Sequence, residues 1–451
     1  MLTTASRSGA GPLAGSLSLV SFALASSYAA VLVVLLPNQV AALDPAHKVE
    51  NLALVTTVSF VFTIAAQPLV GALSDRTRGR YGRRVPWMVA GALVATVALL
   101  AMGGAHSLLA LGALWVVAQC ALNALDVASS AVVPDEVPSS RRGRTLAVVG
   151  AGAVLGGGVA VVVAGSHAQA PGGVYLGLGL VVLLATAVFA VVARRRPVSL
   201  PAPGPEAARP AGLRARSRDV LLSLAVRPWR SVQFSRTFVA RFAFVFAYQL
   251  VFAYQLFILT DHIGLSTDDA NRTLGTLTVV SLVAVMVGIA ATGWLSDRSG
   301  RRTPFLIGAC ALLAVSFVVP LVLPTVAGMA VFAVLRGLAS GVHMAASSVL
   351  VTEVLPDDGA SAGKDLGLYN MATNIPQAAA PAVAAVVIAR LGGYPALFVV
   401  AMVAAVVALV VGVQIHRSGG RVSGAQDAAG RREPDVEPGP ETGAPATEVR
   451  L

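Results

Sequence analysis

Gly71-Ala-Leu-Ser-Asp-Arg-Thr-Arg-Gly-Arg-Tyr-Gly-Arg-Arg-Val-Pro86 places five arginines, one acid and three glycines between two long apolar runs. A shorter version returns 222 residues further on, as Gly293-Trp-Leu-Ser-Asp-Arg-Ser-Gly-Arg-Arg-Thr-Pro304. Such a charged turn does not belong in hydrocarbon, while runs as apolar as its flanks are long enough to cross it. The chain reads as a membrane protein of two similar halves, each with a basic hinge between its second and third spans.

Composition agrees. Of 451 residues, 56% are hydrophobic and 12% charged, with a mean hydropathy of +0.76. Soluble domains carry about 25% charged residues, so this is a membrane composition. Apolar runs predict twelve spans, at about 15–36, 50–73, 86–104, 108–133, 145–167, 173–193, 236–260, 271–295, 303–324, 326–352, 365–389 and 394–415. The net charge of +11 sits mainly in alternate short loops, which argues for membrane topology and against a nucleic-acid partner. Arg141, Arg142 and Arg144 add a second basic connection after span 4, whereas the opposite side offers Lys48, Arg272 and Arg390. This bias places the hinges and both termini in the cytoplasm, in a multi-pass protein of the cytoplasmic membrane. Cys120 and Cys310 fall in apolar runs and read as buried thiols, with no metal site expected. The first apolar run exceeds a signal-peptide core and reads as a span.

The expected organisation is an N-terminal six-helix half (1–193), a basic cytoplasmic linker (194–235), a C-terminal six-helix half (236–415) and a disordered tail (416–451). The repeat extends beyond the hinges. Ala128-Ser-Ser-Ala-Val-Val-Pro-Asp-Glu-Val-Pro138 aligns with Ala346-Ser-Ser-Val-Leu-Val-Thr-Glu-Val-Leu-Pro356, and Tyr28 falls opposite Tyr248. Both copies start on the same side of the membrane. The fold class is therefore an all-α polytopic protein of twelve transmembrane helices, as two six-helix bundles related by a parallel pseudo-two-fold repeat.

On these residues the chain resembles the major facilitator superfamily, whose signature follows the second span. The longer first hinge, with Val133-Pro-Asp-Glu-Val-Pro138 and Arg142-Gly143, is similar to the glycoside–pentoside–hexuronide and sucrose/proton symporter branch. It departs from that branch at Ser347, where relatives carry an acid, and at Asp126, an added acid. The resemblance implies a monomeric secondary active transporter that moves a small solute, a sugar or glycoside, by alternating access, coupled to a proton or Na+ and with no other cofactor. An exporter of drug-like molecules is the alternative, although span 5 lacks the Gly-Pro pair of many drug antiporters. A sensor that binds without transporting is a third reading. The resemblance implies gating roles for Asp75, Arg76, Arg83 and Arg84, and for Asp297, Arg298, Arg301 and Arg302 in the second hinge. The other role the arginines could serve is to set topology.

Polar residues inside spans are costly in lipid and face a cavity or another helix. At roughly 100° per residue, Gln119, Asn123, Asp126 and Ser130 share one sector of span 4. Arg336, Ser340, His343 and Ser347 do so on span 10, Asn370, Asn374 and Gln377 on span 11, and Tyr248 and Gln255 on span 7. These stripes mark a central pathway or interhelical hydrogen bonding. Asp126 is the acid placed well within a span, with Arg336 and His343 as candidate partners. Proton coupling, ion or substrate binding and a structural ion pair to Arg336 all remain open for it. The candidate substrate-binding set is Gln119, Asn123, Tyr248, Gln255, Asn370, Asn374 and Gln377. The glycines of span 5, Gly150, Gly152, Gly156, Gly157 and Gly158, read as a surface for close helix approach. No Walker loop or His-Glu-x-x-His appears, so the sequence lends no support to ATP-driven pumping or zinc proteolysis.

Overall fold

The computed structural model describes residues 10–77, 81–194, 232–299, 303–354 and 362–430. These are helical, with short connections and no strand. The spans are α1 (Gly11–Leu43), α2 (Lys48–Arg76), α3 (Val85–Met102), α4 (Leu108–Ser130), α5 (Ser139–Ser166) and α6 (Pro171–Arg194). The second half holds the bent pair α7 (Val232–Phe252 and Gln255–His262), α8 (Thr267–Ser299), α9 (Thr303–Val322), α10 (Val326–Val354), α11 (Ala362–Arg390) and α12 (Gly393–Gly430). Among the described residues, eleven helices are long and apolar enough to cross a bilayer, and the bent pair, taken as one span, makes a twelfth. The end of the bundle that carries the arginine hinge is called the hinge face below, and the other end the far face.

Side-chain chemistry explains the local departures from straight helix. Pro37 has no N–H to give to the Val33 carbonyl, and the turn before it widens to a π turn over Val31–Leu35, with the Leu36 N–H donating to the Val31 carbonyl. Helix α1 therefore runs on to Leu43, beyond the expected end at 36. Span 7 was expected to be continuous over 236–260. It is broken after Phe252 and bent by 50°. The Gln255 amide donates to the freed Phe252 carbonyl at 3.1 Å, and the Tyr254 hydroxyl donates to the Pro381 carbonyl of α11 at 2.9 Å. Arg141, Arg142 and Arg144 lie in the first turns of α5 rather than in a loop. The last helix continues from 416 to Gly430, over the first part of the stretch expected to be a disordered tail. Residues 431–451, and all but the ends of the linker at 194–235, lie outside the described residues.

Glycines set close helix contacts; of the span 5 pattern, Gly152, Gly156 and Gly158 do so, whereas Gly150 has open space around it. A Cβ on Gly152 would collide with the Ser18 carbonyl, and one on Gly156 with that of Phe22, both on α1. Ser26 Oγ donates to the Gly156 carbonyl at 3.0 Å across the same seam. Between the halves, Gly165 of α5 would bring a Cβ to 2.7 Å from the Asn271 carbonyl of α8.

The core divides unevenly. One large buried cluster joins both halves toward the far face, including Val34, Leu52, Trp115, Tyr254, Leu274 and Phe398. A second, toward the hinge face, holds residues of the first half only, among them Leu17, Met88, Leu122, Leu125 and Phe189. The halves thus share one hydrophobic core at one end and keep separate packing at the other. Many large side chains on the bundle exterior, such as Leu54, Val97, Leu184 and Val287, are exposed, which suits a surface solvated by lipid.

Candidate functional site

The halves meet through α2 against α11 and α5 against α8. Among the described residues, the polar ties across this seam gather at the far face. Lys48 at the start of α2 donates to Asp261 Oδ1 at 2.6 Å, while the Tyr394 hydroxyl donates to Oδ2 at 2.8 Å. Thr260 donates to the same carboxylate at 2.8 Å, and the Lys48 ammonium lies 5.0 Å above the Phe257 ring. Asn38 and Asn271 exchange two amide bonds, at 2.9 and 3.1 Å, and Gln169 donates to Asp268 at 2.6 Å. Deeper in, Asn374 donates to Gln67 at 3.1 Å. The shared core and these bonds hold the two halves together at the far face.

This latch has a measurable weight. Its central ion pair is partly sheltered, with side-chain exposures of 23% and 29%, so its removal is expected to cost about 1 kcal/mol. Lys48→Met should shift the balance roughly fivefold toward the state open at the far face. Distances between spin labels placed on the ends of α2 and α7 read that shift. An unchanged distribution would show that the bond carries none of the closure.

The hinge pairs within its own half. Arg84 forms a fork, with one nitrogen on Asp75 Oδ1 at 2.8 Å and Nε on Asp135 Oδ2 at 3.0 Å, while its third nitrogen donates to the Ser74 hydroxyl. Arg83 reaches Asp135 Oδ1 at 2.6 Å. Asp135 comes from the short helix Val132–Glu136 after α4, part of the Pro-Asp-Glu-Val-Pro stretch that the sequence marked only by resemblance. Trp87 pins the end of α2 through its indole N–H to the Thr77 hydroxyl at 2.8 Å. Arg76 is exposed and joins no ion pair among the described residues. In the second hinge, the Arg298 guanidinium lies 5.1 Å above the Trp294 ring. The Asp297 side chain and residues Arg301 and Arg302 lie outside the described set.

The predicted stripes occupy the walls between the halves to different degrees. On α4, Gln119 and Asn123 are buried, whereas Asp126 and Ser130 are exposed. The Tyr28 hydroxyl of α1 lies beside the Asn123 amide and within electrostatic reach of Asp126, yet closes no hydrogen bond. On α10, Arg336, His343 and Ser347 are buried. Arg336 donates to Gln255 Oε1 at 3.1 Å, its guanidinium lying 4.7 Å above the Tyr248 ring and 5.3 Å from that of Phe332. The His343 ring stacks on Phe244 at 3.7 Å. Asn374 joins the seam with Gln67, Gln377 is half-buried, and Asn370 is exposed in the first part of α11. Asp126 forms an ion pair with neither Arg336 nor His343. The structural pairing that the sequence allowed is therefore not made.

Two residues of the walls escaped the sequence reading. Arg241 on α7 donates from Nε to the Thr373 hydroxyl at 2.9 Å and lies within electrostatic reach of His343. Asp261, at the far end of α7, is the hub of the latch. A lone arginine near a span end and a lone acid in a loop both resemble topology markers, and only the packing distinguishes them.

Two six-helix halves closed at one face, with polar side chains along the walls between them, make a carrier with one central path. A family model for the Major Facilitator Superfamily matches residues 16–292 and 255–433. The chain belongs to that superfamily: it is a multi-pass secondary transporter of alternating-access type for a small-molecule solute, and not an enzyme. Its fold is similar to a solved structure of a bacterial homolog to the human lysosomal transporter Spinster, in an inward-facing and unoccupied conformation. That similarity has a TM-score of 0.64 over 92% of this chain and 98% of that one, at 15% identity. No curated protein matches the chain.

Proposed function

We propose that this protein is a proton-coupled transporter of a small polar solute in the cytoplasmic membrane, working as a monomer. Asp126 is the coupling acid. The observation that carries this reading is the state of Asp126, a carboxyl within span 4 that is exposed and, among the described residues, joins no ion pair. A carboxyl held by arginine stays ionised, whereas one without such a partner exchanges its proton as its surroundings alternate between wet and dry. The hinge face is the cytoplasmic one by its excess of arginine, so both termini are cytoplasmic and this conformation opens inward. Tyr248 and Gln255 offer a ring face and an amide to a hydroxyl-rich solute, which supports sugars and glycosides as the first class to test. Na+ is the other candidate coupling ion.

The test is uptake into proteoliposomes of a panel of sugars, sugar acids and drug-like cations, with and without an imposed pH gradient. Accumulation above the external concentration that collapses on adding a protonophore is expected. Uptake that only equilibrates, or that follows a Na+ gradient, would overturn proton coupling.

A further inference from the structure

We propose that the solute carries a carboxylate or comparable oxyanion, and that Arg336 is the group on which it docks. The proposal rests on the transporter reading above and adds the charge of its cargo. An arginine is always ionised and presents five N–H donors in a planar fork. In Arg336, 4% exposed about 15 Å along α10, one nitrogen donates to Gln255, while Nε and NH1 are buried with no acceptor. No carboxylate among the described residues pairs with it.

Two aromatic faces, Tyr248 and Phe332, flank the guanidinium and offset part of the burial cost. Neither ring supplies an in-plane acceptor for the unused donors. A buried charge without its opposite is costly, so the site favours any anion that can reach it. The surroundings have the same sign. Arg241 on α7 adds a second cation to this side, while the acids of the second half whose side chains are described, Asp261, Asp268 and Asp269, lie at the far face. The first half places Asp126 on its own wall. The path is thus cationic on one side and acidic on the other, which suits an oxyanion travelling with a proton.

Tyr248 and Gln255 flank the break in α7, so movement of that bent segment would uncover the two free donors to the solute. A bidentate oxyanion would then bond Nε and a terminal nitrogen side by side. Gln255 is displaced or shares the second terminal nitrogen.

The test uses purified full-length protein and measures thermal stabilisation by glucuronate, lactate, a hexose phosphate, methyl glucoside and tetraphenylphosphonium, with proteoliposome uptake of each alongside. One or more anions should stabilise the wild type, and Arg336→Gln should weaken that binding roughly 10–100-fold. Comparing lactate and glucuronate with the hexose phosphate separates carboxylate from phosphate recognition. Arg336→Lys should restore it only in part, because an ammonium cannot form the fork. The melting temperature of the ligand-free Arg336→Gln protein should match or exceed the wild type, since an uncompensated charge has been removed. A lower ligand-free melting temperature together with unchanged anion affinity would make Arg336 a structural residue. Failure of every anion to stabilise the wild type, or uptake of methyl glucoside or tetraphenylphosphonium with no anion bound, would overturn the proposal while leaving transport intact. Anion binding with no anion moved would instead keep Arg336 as a docking group and sink the transporter reading.

Discussion

Asp126→Asn is expected to abolish proton-driven accumulation while leaving solute exchange within a few-fold of wild type. With a hundredfold proton gradient, one coupled proton supplies ~2.7 kcal/mol, enough for about hundredfold accumulation. Asparagine keeps the size of the side chain and its place near Tyr28 and Asn123 but binds no proton, so the solute should only equilibrate. Exchange of labelled for unlabelled solute needs the conformational cycle but no net proton movement, and it should persist. The two assays together separate coupling from binding. Loss of both would mean that Asp126 holds the solute or the fold, and wild-type accumulation would move the coupling role elsewhere, with His343 as the next candidate.

The parts of the fold that could be read from the chain are those written in local chemistry. Apolar runs marked the spans, arginine runs marked the hinges, and glycines at helical spacing marked the α1–α5 seam where Gly152 and Gly156 meet backbone carbonyls. The α7 break was not legible, because Phe252-Ala-Tyr-Gln255 contains neither glycine nor proline. Its cost is met by the Gln255 side chain on its own helix and by a carbonyl of α11 127 residues away. The latch was hidden for the same reason. Lys48 and Asp261 are single charges 213 residues apart, and each alone reads as a loop residue. At the candidate site, helical periodicity found Asp126, Arg336 and His343 and left an ion pair between them as one of several roles. The structure keeps acid and base on opposite halves, Asp126 on α4 and Arg336 with His343 on α10.

Arg84→Ala is expected to cut turnover by about 30-fold while leaving solute affinity in the inward-open state within a few-fold. Arg84 ties the end of α2, through Asp75 and Ser74, to the short helix after α4, through Asp135. It is 11% exposed, so its bonds are sheltered, although Asp75, at 59%, is not. Discounting the exposed partner leaves roughly 2 kcal/mol, which corresponds to the stated rate factor if the hinge end must stay rigid in the transition between states. Lysine should not rescue, because a single ammonium cannot hold two carboxylates and a hydroxyl in one plane. Arg76→Ala supplies the control. That arginine is exposed, and a change under twofold is expected from it. If all hinge arginines served only to set topology, Arg76→Ala and Arg84→Ala would behave alike, and single-turnover transport measured on both variants decides between the two roles.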